Sequence, residues 1–299
     1  MENSSLKTSG DRAYQTVVLI ILIFCAFVCI MPFVMLVASS LTDDAALTQN
    51  GYCFWPSEFS GYAYKYLFLT NAAKVFRSYG ITIFVTVFGT VLSLLIGPMI
   101  AWPLSRKDYP RAKQFTFIVF LTMLFNGGLV PSYMMWTQAF HIKNSIWALI
   151  FPTLLLNGFN IILYKNNFSS NIHPALVEAA KIDGAGEFYI YFKIVLPLSL
   201  PILATVGLMV ALGYWNDWTN GLYYISDANL YSLQQYLKSI IDNINALSSM
   251  SSSGLSAANM PSTSIRMAIA VIGVIPIMCL YPFFSKAFVA GISLGGVKE

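Results

Sequence analysis

Charge is what this chain has least of. Asp, Glu, Lys and Arg make up 10% of its 299 residues, 13 acidic against 17 basic, for a formal net charge of +4. A soluble globular domain carries about a quarter charged residues, so water is not the main solvent for this sequence. The basic residues are scattered between apolar runs and form no patch interleaved with stacking aromatics, which excludes nucleic-acid binding. Four cysteines do not make a disulfide framework. Cys25 and Cys29 lie i, i+4 on one apolar run, Cys279 in another, and Cys53 alone in a loop, so all four read as free thiols that fill space as small apolar groups. Neither they nor His141 and His173 fall at metal-ligand spacing. The G-x-x-x-x-G-K-S/T loop that cradles nucleotide phosphates is also missing, so the chain is not itself an ATPase and carries no cofactor of its own.

What it has in abundance is apolar surface: 57% hydrophobic and 15% aromatic residues. Val17 to Ser40 runs for 24 residues without a charge. At about 1.5 Å per residue a helix of that length covers about 36 Å, more than the ~30 Å hydrocarbon slab. It is too long for a signal-peptide core and lacks a small-x-small cleavage site, so it reads as an anchor. Further runs place span two at about Ile81 to Leu104 and span three at Phe115 to about Trp136, broken near Gly127, Gly128 and Pro131. Span four is Ile146 to Tyr164, span five about Leu198 to Tyr214, and span six Met267 to Val289. The expected fold is therefore all-α, a single transmembrane domain over residues 1–299 with six transmembrane helices, multi-pass in the cell membrane among its lipids.

Six spans put both termini on one side. The termini and alternate loops on their side, Arg106 to Lys113 and Lys165 to Lys193 among them, hold eleven of the Lys and Arg residues, and the opposite loops hold six. The positive-inside rule then places both termini in the cytoplasm. Outside lie Thr42 to Tyr79 and a long loop over 219–265. The latter holds a helical pattern from Leu230 to Leu247 (Leu233, Tyr236, Leu237, Ile240, Ile241, Ile244, Leu247) and a serine-rich stretch, Ser248 to Gly254, unsuited to packing a core. The helix fits either a lid packed on the ends of the spans or a partner-binding surface.

The cytoplasmic loop between spans four and five, NIHPALVEAAKIDGAGEFYIYFKIVLPLSLP, carries the strongest local signal. Pro174 suits a first helical turn, PALVEAAKI makes a short helix, Gly184 and Gly186 punctuate its end, and a second helical run over about Phe188 to Val195 leads to Pro197. Leu176, Val177, Ala179, Ala180 and Ile182 form an apolar side with small residues, leaving Glu178, Lys181 and Asp183 polar. So short a helix needs packing against its own spans or a partner.

Glu178, Ala179, Ala180, Gly184, Ile194, Leu196 and Pro197 match, position by position, the EAA loop (EAA, three residues, G, nine residues, I-x-L-P). On these residues the chain resembles permease subunits of bacterial ABC importers. The IDGA at Ile182 to Ala185, YWNDW at Tyr214 to Trp218 and the terminal GISLGGVKE resemble the carbohydrate branch, in particular the maltose-type second permease. NGGLVPSYMMW at Asn126 to Trp136 is similar to permeases for complex oligosaccharides of the polygalacturonan type. The resemblance runs from about span two to the C-terminus. The tail departs from the pattern by ending in Glu299, and the serine-rich stretch is no general family feature.

The resemblance implies a core permease domain over 78–290 and a coupling loop over 171–197 that docks on an ATPase through Glu178, Ala179, Ala180, Lys181, Asp183, Gly184 and Ala185. It implies a second homologous permease subunit and two ATP-binding subunits that hold the ATP and magnesium. An extracellular solute-binding lipoprotein or periplasmic binding protein would deliver the carbohydrate, and a C-terminal tail, Gly295, Gly296, Val297 and Lys298, would reach between the ATPases.

A sugar pathway needs amides, carboxylates and aromatic faces. The candidates are Asn126 at the break in span three, Asn157 and Asn160 in span four, and Tyr214, Trp215, Asn216, Asp217 and Trp218 at the end of span five. The two span-four asparagines serve equally as helix-to-helix hydrogen-bonding groups, and the tryptophans as an interfacial belt. A non-sugar cargo and an intramembrane enzyme are the alternatives. The second lacks an acid and nucleophile partner for either histidine.

Overall fold

The computed structural model describes residues 9–251 and 263–295. Its elements are helices: α1 (Ser9–Ser40), α2 (Asp44–Asn50), α3 (Tyr62–Lys65), α4 (Ala72–Ser105), α5 (Ala112–Leu124), α6 (Leu129–Ala139), α7 (Gly158–Asn171), α8 (Pro174–Ile182), α9 (Glu187–Leu198), α10 (Leu200–Trp215), α11 (Thr219–Tyr224), α12 (Leu233–Ser251) and α13 (Thr263–Gly295). No strand forms among the described residues, only one isolated antiparallel bridge between Thr42 and Phe59. The all-helical expectation stands.

Among the described residues two helices, α1 from Tyr14 and α4, are long and apolar enough to cross a bilayer alone. Two bent pairs supply the same apolar length in pieces: α5 with α6, turned by 113°, and α9 with α10, turned by 80°. The first bend is the interruption expected at Gly127 and Gly128. Phe125 leaves the helical region, Gly128 takes φ 84°, and the Asn126 carboxamide accepts the Gly128 N–H at 2.9 Å. The second falls at Ser199, one residue before α10 opens with Pro201 in its first turn.

Span four does not form as the sequence suggested. Ile146–Leu149 makes one 3₁₀ turn, Thr153 sits at φ 61°, and regular helix starts only at Gly158, with the Asn157 side chain accepting the Phe159 N–H. Pro152 cannot donate a helical hydrogen bond. The carbonyls of Ile150 and Pro152 are taken instead by the Tyr214 hydroxyl at 2.8 Å and the Asn220 amide at 3.1 Å. The apolar side chains Ala148, Leu149 and Ile150 are essentially fully buried. Irregular apolar backbone of this kind is tolerable where protein surrounds it. The helix that follows, α7, has 14 residues and covers about 21 Å, short of the ~30 Å slab.

The chain packs as two units, Met1–Ala72 with Asn243–Val274, and Ala73–Asp242 with Ile275–Glu299. In the first, α1 keeps its apolar side chains exposed along its length, Phe24 at 65% for example, as a helix facing lipid or another chain does. Cys25 and Cys29 are exposed there, and so is Cys279 on α13, so these thiols do not fill a core as the sequence suggested. The loop after α1 is pinned at its base by Asp43 N–H donating to Glu58 C=O (3.0 Å) and Ser60 N–H to Leu41 C=O (2.8 Å). Asp44 reaches the start of α13, where its Oδ1 accepts the Thr263 and Ser264 N–H groups at 2.9 Å each.

The second unit has its core where α4, α7, α9 and α10 meet, around Trp102, Tyr164, Phe168, Ile190, Val195, Val206 and Tyr214. Close approach depends on Gly89, because a Cβ there would lie 2.4 Å from Cζ of Tyr214. In α12 the expected apolar stripe turns inward, with Leu233, Tyr236, Leu237 and Ile244 buried, and the Leu233 N–H donates to Thr82 Oγ1 at 2.7 Å. The helix also extends through Ser248 to Ser251, which the sequence suggested to be flexible; the remainder of the serine-rich stretch lies outside the described residues.

Candidate functional site

The α8–α9 segment is built by its own punctuation. His173 Nδ1 accepts the Ala175 N–H at 3.4 Å and Pro174 occupies the first turn. At the other end the Asp183, Gly184 and Ala185 N–H groups donate to the carbonyls of Ala179, Lys181 and Ala180 at 3.0, 3.0 and 2.9 Å. Gly184 takes φ 81°, the left-handed conformation in which a side chain is strained. The Ile190 N–H then closes the first turn of α9 on Gly186 C=O at 3.0 Å.

The apolar residues of α8 do not share one side. Val177 is buried and Ala180 half-buried against the core, whereas Leu176 (48% exposed), Ala179 and Ile182 (86%) face outward with Glu178 and Asp183. Ile182 is thus a large apolar side chain left open on a helix of nine residues that packs little against its own chain.

Charge ties this segment to the end of α4. The Arg106 guanidinium pairs with Asp108 and with Glu187, and Lys181 Nζ lies 3.2 Å from Glu187 and 3.5 Å from Asp108. Arg106 also sits over the Trp102 ring, 5.6 Å from its centroid, with its side chain only 13% exposed. Hydrogen bonding to Arg106 is the main reason the Asp108 carboxyl is held down at about 2, and the same bond raises Arg106. Beside the cluster a cavity of about 350 Å³ is lined by Trp102, Phe168 and Ile172 together with Lys107, Glu178 and Lys181. The sequence placed Lys181 in the coupling set but used Arg106 only as a count of positive charge and passed over Asp108 and Glu187. No local pattern links Arg106 to a residue 81 positions on.

The candidate pathway residues divide by environment. Asn126 and Asn157 use a side-chain oxygen to cap their own chain, and Asn160 is half-buried on α7. Tyr214 is 2% exposed with its hydroxyl committed to Ile150, and Trp215 is buried with Tyr79 6.4 Å away, ring to ring. Asn216 donates to Leu212 C=O. Asp217, one residue before the N-cap position Trp218, accepts the N–H groups of Thr219 and Asn220 at 3.0 and 3.1 Å at the start of α11, and burial pushes its carboxyl up against the pull of those amides. Trp218 is 40% exposed and carries the Lys238 ammonium 5.7 Å from its ring centroid. Of the tail, Gly295 ends α13, and Gly296, Val297 and Lys298 lie outside the described residues. No group of three or more His, Cys, Asp and Glu is gathered for a metal ion among the described residues.

Comparison with known proteins gives a consistent set. A family profile described as "Binding-protein-dependent transport system inner membrane component" matches residues 3–294. The polygalacturonan/rhamnogalacturonan transport system permease protein YtcP of Bacillus subtilis (strain 168) is 36% identical over 288 residues, covering 96% of this chain and 99% of that protein. Protein LplC of the same organism is 34% identical, covering 98% and 97%. A chain from the crystal structure of a bacterial ABC transporter involved in the import of the acidic polysaccharide alginate superposes with a TM-score of 0.77 at 31% identity, over 94% of this chain and 98% of that one.

Proposed function

The chain belongs to the family of binding-protein-dependent transport system inner membrane components, and from that premise we propose that it is a permease subunit of an ATP-driven importer for a sugar or oligosaccharide delivered by an external solute-binding protein. Two of the relatives described above have names that state a cargo, polygalacturonan/rhamnogalacturonan for one and alginate for the other, which supports a carbohydrate here. The observation that carries the mechanism is the outward set Leu176, Glu178, Ala179 and Ile182 on α8, open to a partner while Val177 and Ala180 hold the helix to its own chain.

In this reading α8 is the coupling helix, within the loop 171–197. It docks on one of two ATP-binding subunits, which hold ATP and magnesium; Glu178 makes polar contacts there, and Ala179, Lys181, Asp183 and Ala185 complete the contact around the Gly184 turn. A second homologous permease completes the pathway, and closure of the ATPase pair rocks the spans between inward and outward access. Six crossings, with both termini in the cytoplasm, are α1, α4, the α5–α6 pair, α7 with the irregular segment before it, the α9–α10 pair, and α13. The core permease domain takes 78–290, and 219–265 lies outside. Asn126, Asn157, Asn160, Asn216, Asp217 and Trp218 line the route and Tyr214 and Trp215 back it, while Gly295 to Lys298 extend between the ATPases.

The test is co-purification in mild detergent followed by ATPase assays. Recovery of a second permease and two ATPase copies, with hydrolysis stimulated by the binding protein and that stimulation lost in Glu178→Ala and Gly184→Pro, is the expected result. Proline cannot adopt the positive φ of Gly184. A chain that purifies alone, or a complex indifferent to both substitutions, overturns the coupling role.

A further inference from the structure

Nine residues of helix are marginal in water, and α8 turns only Val177 and Ala180 inward. Its C-terminal turn is held by charge. Arg106 pairs with Asp108, Asp108 with Lys181, Lys181 with Glu187, and Glu187 returns to Arg106. This is a closed ring of alternating sign drawn from three places: the residues just past α4, the last turn of α8, and the first residue of α9. Each side chain serves two partners, so one ordering of its rotamers supports two pairs, and Arg106 is further immobilised over Trp102 at 5.6 Å. Isolated exposed pairs stabilise little, whereas a network with a mostly buried arginine fixes geometry.

The ring matters because of what α4 touches further along. Tyr214 of α10 lies across Gly89 and Leu94 of α4 lies against Gly207 of α10, so α4 and α10 are packed without slack and transmit displacement. From α8 the covalent route to α10 runs through α9 and an 80° bend at Ser199, where the helix axis is interrupted. The ring supplies a second route, from α8 straight to the end of α4.

We propose that Arg106, closing this ring with Asp108, Lys181 and Glu187, is a positioning residue that makes α4 move with α8, so that a push on the coupling helix displaces the α4–α10 pair instead of bending the α9–α10 joint at Ser199. The inference rests on the permease reading above. Hydrogen bonding to Arg106 holds the Asp108 carboxyl down at about 2 and raises the Arg106 guanidinium, so this pair stays ionised at neutral pH.

The experiment uses the assembled transporter in nanodiscs, native cysteines replaced by serine, with spin labels at Ala175→Cys on α8 and Gly80→Cys on α4. Both positions are exposed, and a Cβ at Gly80 meets nothing. The separation is measured without nucleotide and after trapping with Mg–ATP and vanadate. With Arg106 present the two labels move together and the separation stays constant within about 1 Å; in Arg106→Gln it shifts by about 2 Å or more on trapping, the scale of helix displacements at such interfaces. Arg106→Lys restores most of the constancy, and ATP hydrolysis stays within about twofold throughout. A purely structural role for the ring lowers the melting temperature without making the separation nucleotide-dependent.

If Arg106→Gln does not assemble, Glu187→Gln opens the ring at an exposed side chain and is measured in the same way. A separation that stays constant in every variant, or that already shifts in the parent protein, overturns the inference. Failure of the parent chain to bind an ATPase or trap vanadate overturns the permease reading instead.

Discussion

Gly89→Ala is the sharpest perturbation of the packing that joins the spans. The added methyl carbon would lie 2.4 Å from Cζ of Tyr214 and 2.6 and 2.8 Å from its two Cε atoms, well inside van der Waals contact. A rigid ring cannot turn aside as the end of a flexible chain can. Tyr214 is 2% exposed, and its hydroxyl donates to Ile150 C=O at 2.8 Å. Overpacking of this kind costs about 1–3 kcal/mol, and moving the ring far enough to break the hydrogen bond adds about 1 kcal/mol. The sum, about 2–4 kcal/mol, corresponds to a fall in melting temperature on the order of 5 °C for a chain of this size. Tryptophan fluorescence on heating in nanodiscs reads it directly. The control is Gly89→Ala with Tyr214→Leu, which makes room for the methyl group, so the pair should cost clearly less than the two single changes added together. A Gly89→Ala protein that melts within about 1 °C of the parent, or a strictly additive pair, would refute the packing assigned to α4 and α10.

Two further outcomes follow from the caps. Asp217→Asn keeps an oxygen for the Thr219 and Asn220 amides and removes a charge that burial disfavours, while Asp217→Ala loses the cap, at a cost of about 1 kcal/mol near pH 4 that shrinks as the pH rises through the raised value. Because the folded carboxyl titrates above its unfolded value of about 3.9, the folded state binds more protons between the two. Stability of the parent therefore falls as pH rises from about 4 through the raised value, so Asn should match or exceed Asp at pH 7 and lose that advantage near pH 4; melting curves that run the opposite way refute the burial argument. Asp44→Ala removes the acceptor for Thr263 and Ser264 and should speed hydrogen exchange at the start of α13 roughly fivefold, equivalent to a cap of about 1 kcal/mol; unchanged protection there would show that other acceptors suffice.

Much of this protein is legible in one dimension because the patterns concerned are local. A run of 24 uncharged residues, a glycine pair followed by proline, and a helix stop at Gly184 each act through the backbone within a turn or two. Helix α1, the break between α5 and α6, and the α8–α9 turn consequently lie where the sequence placed them. The EAA spacing is equally local, and through resemblance it pointed to the family whose profile matches residues 3–294.

Span four shows where that ends. Ile146 to Leu156 is as apolar as a membrane helix, yet Tyr214 and Asn220, more than sixty positions away, take its carbonyls and allow it to fold irregularly. Likewise, periodicity grouped Val177 with Ile182 on one apolar side, and only the position of the core separated the buried residue from the open one. Apolar content, helical punctuation and family spacing were determined by the sequence itself, because hydration and backbone geometry act on neighbouring residues. The ring of Arg106, Asp108, Lys181 and Glu187, the close fit of Tyr214 on Gly89 and the outward set on α8 were decided by the tertiary structure, because a charge or a ring finds its partner by distance in space, and separation along the chain does not encode it.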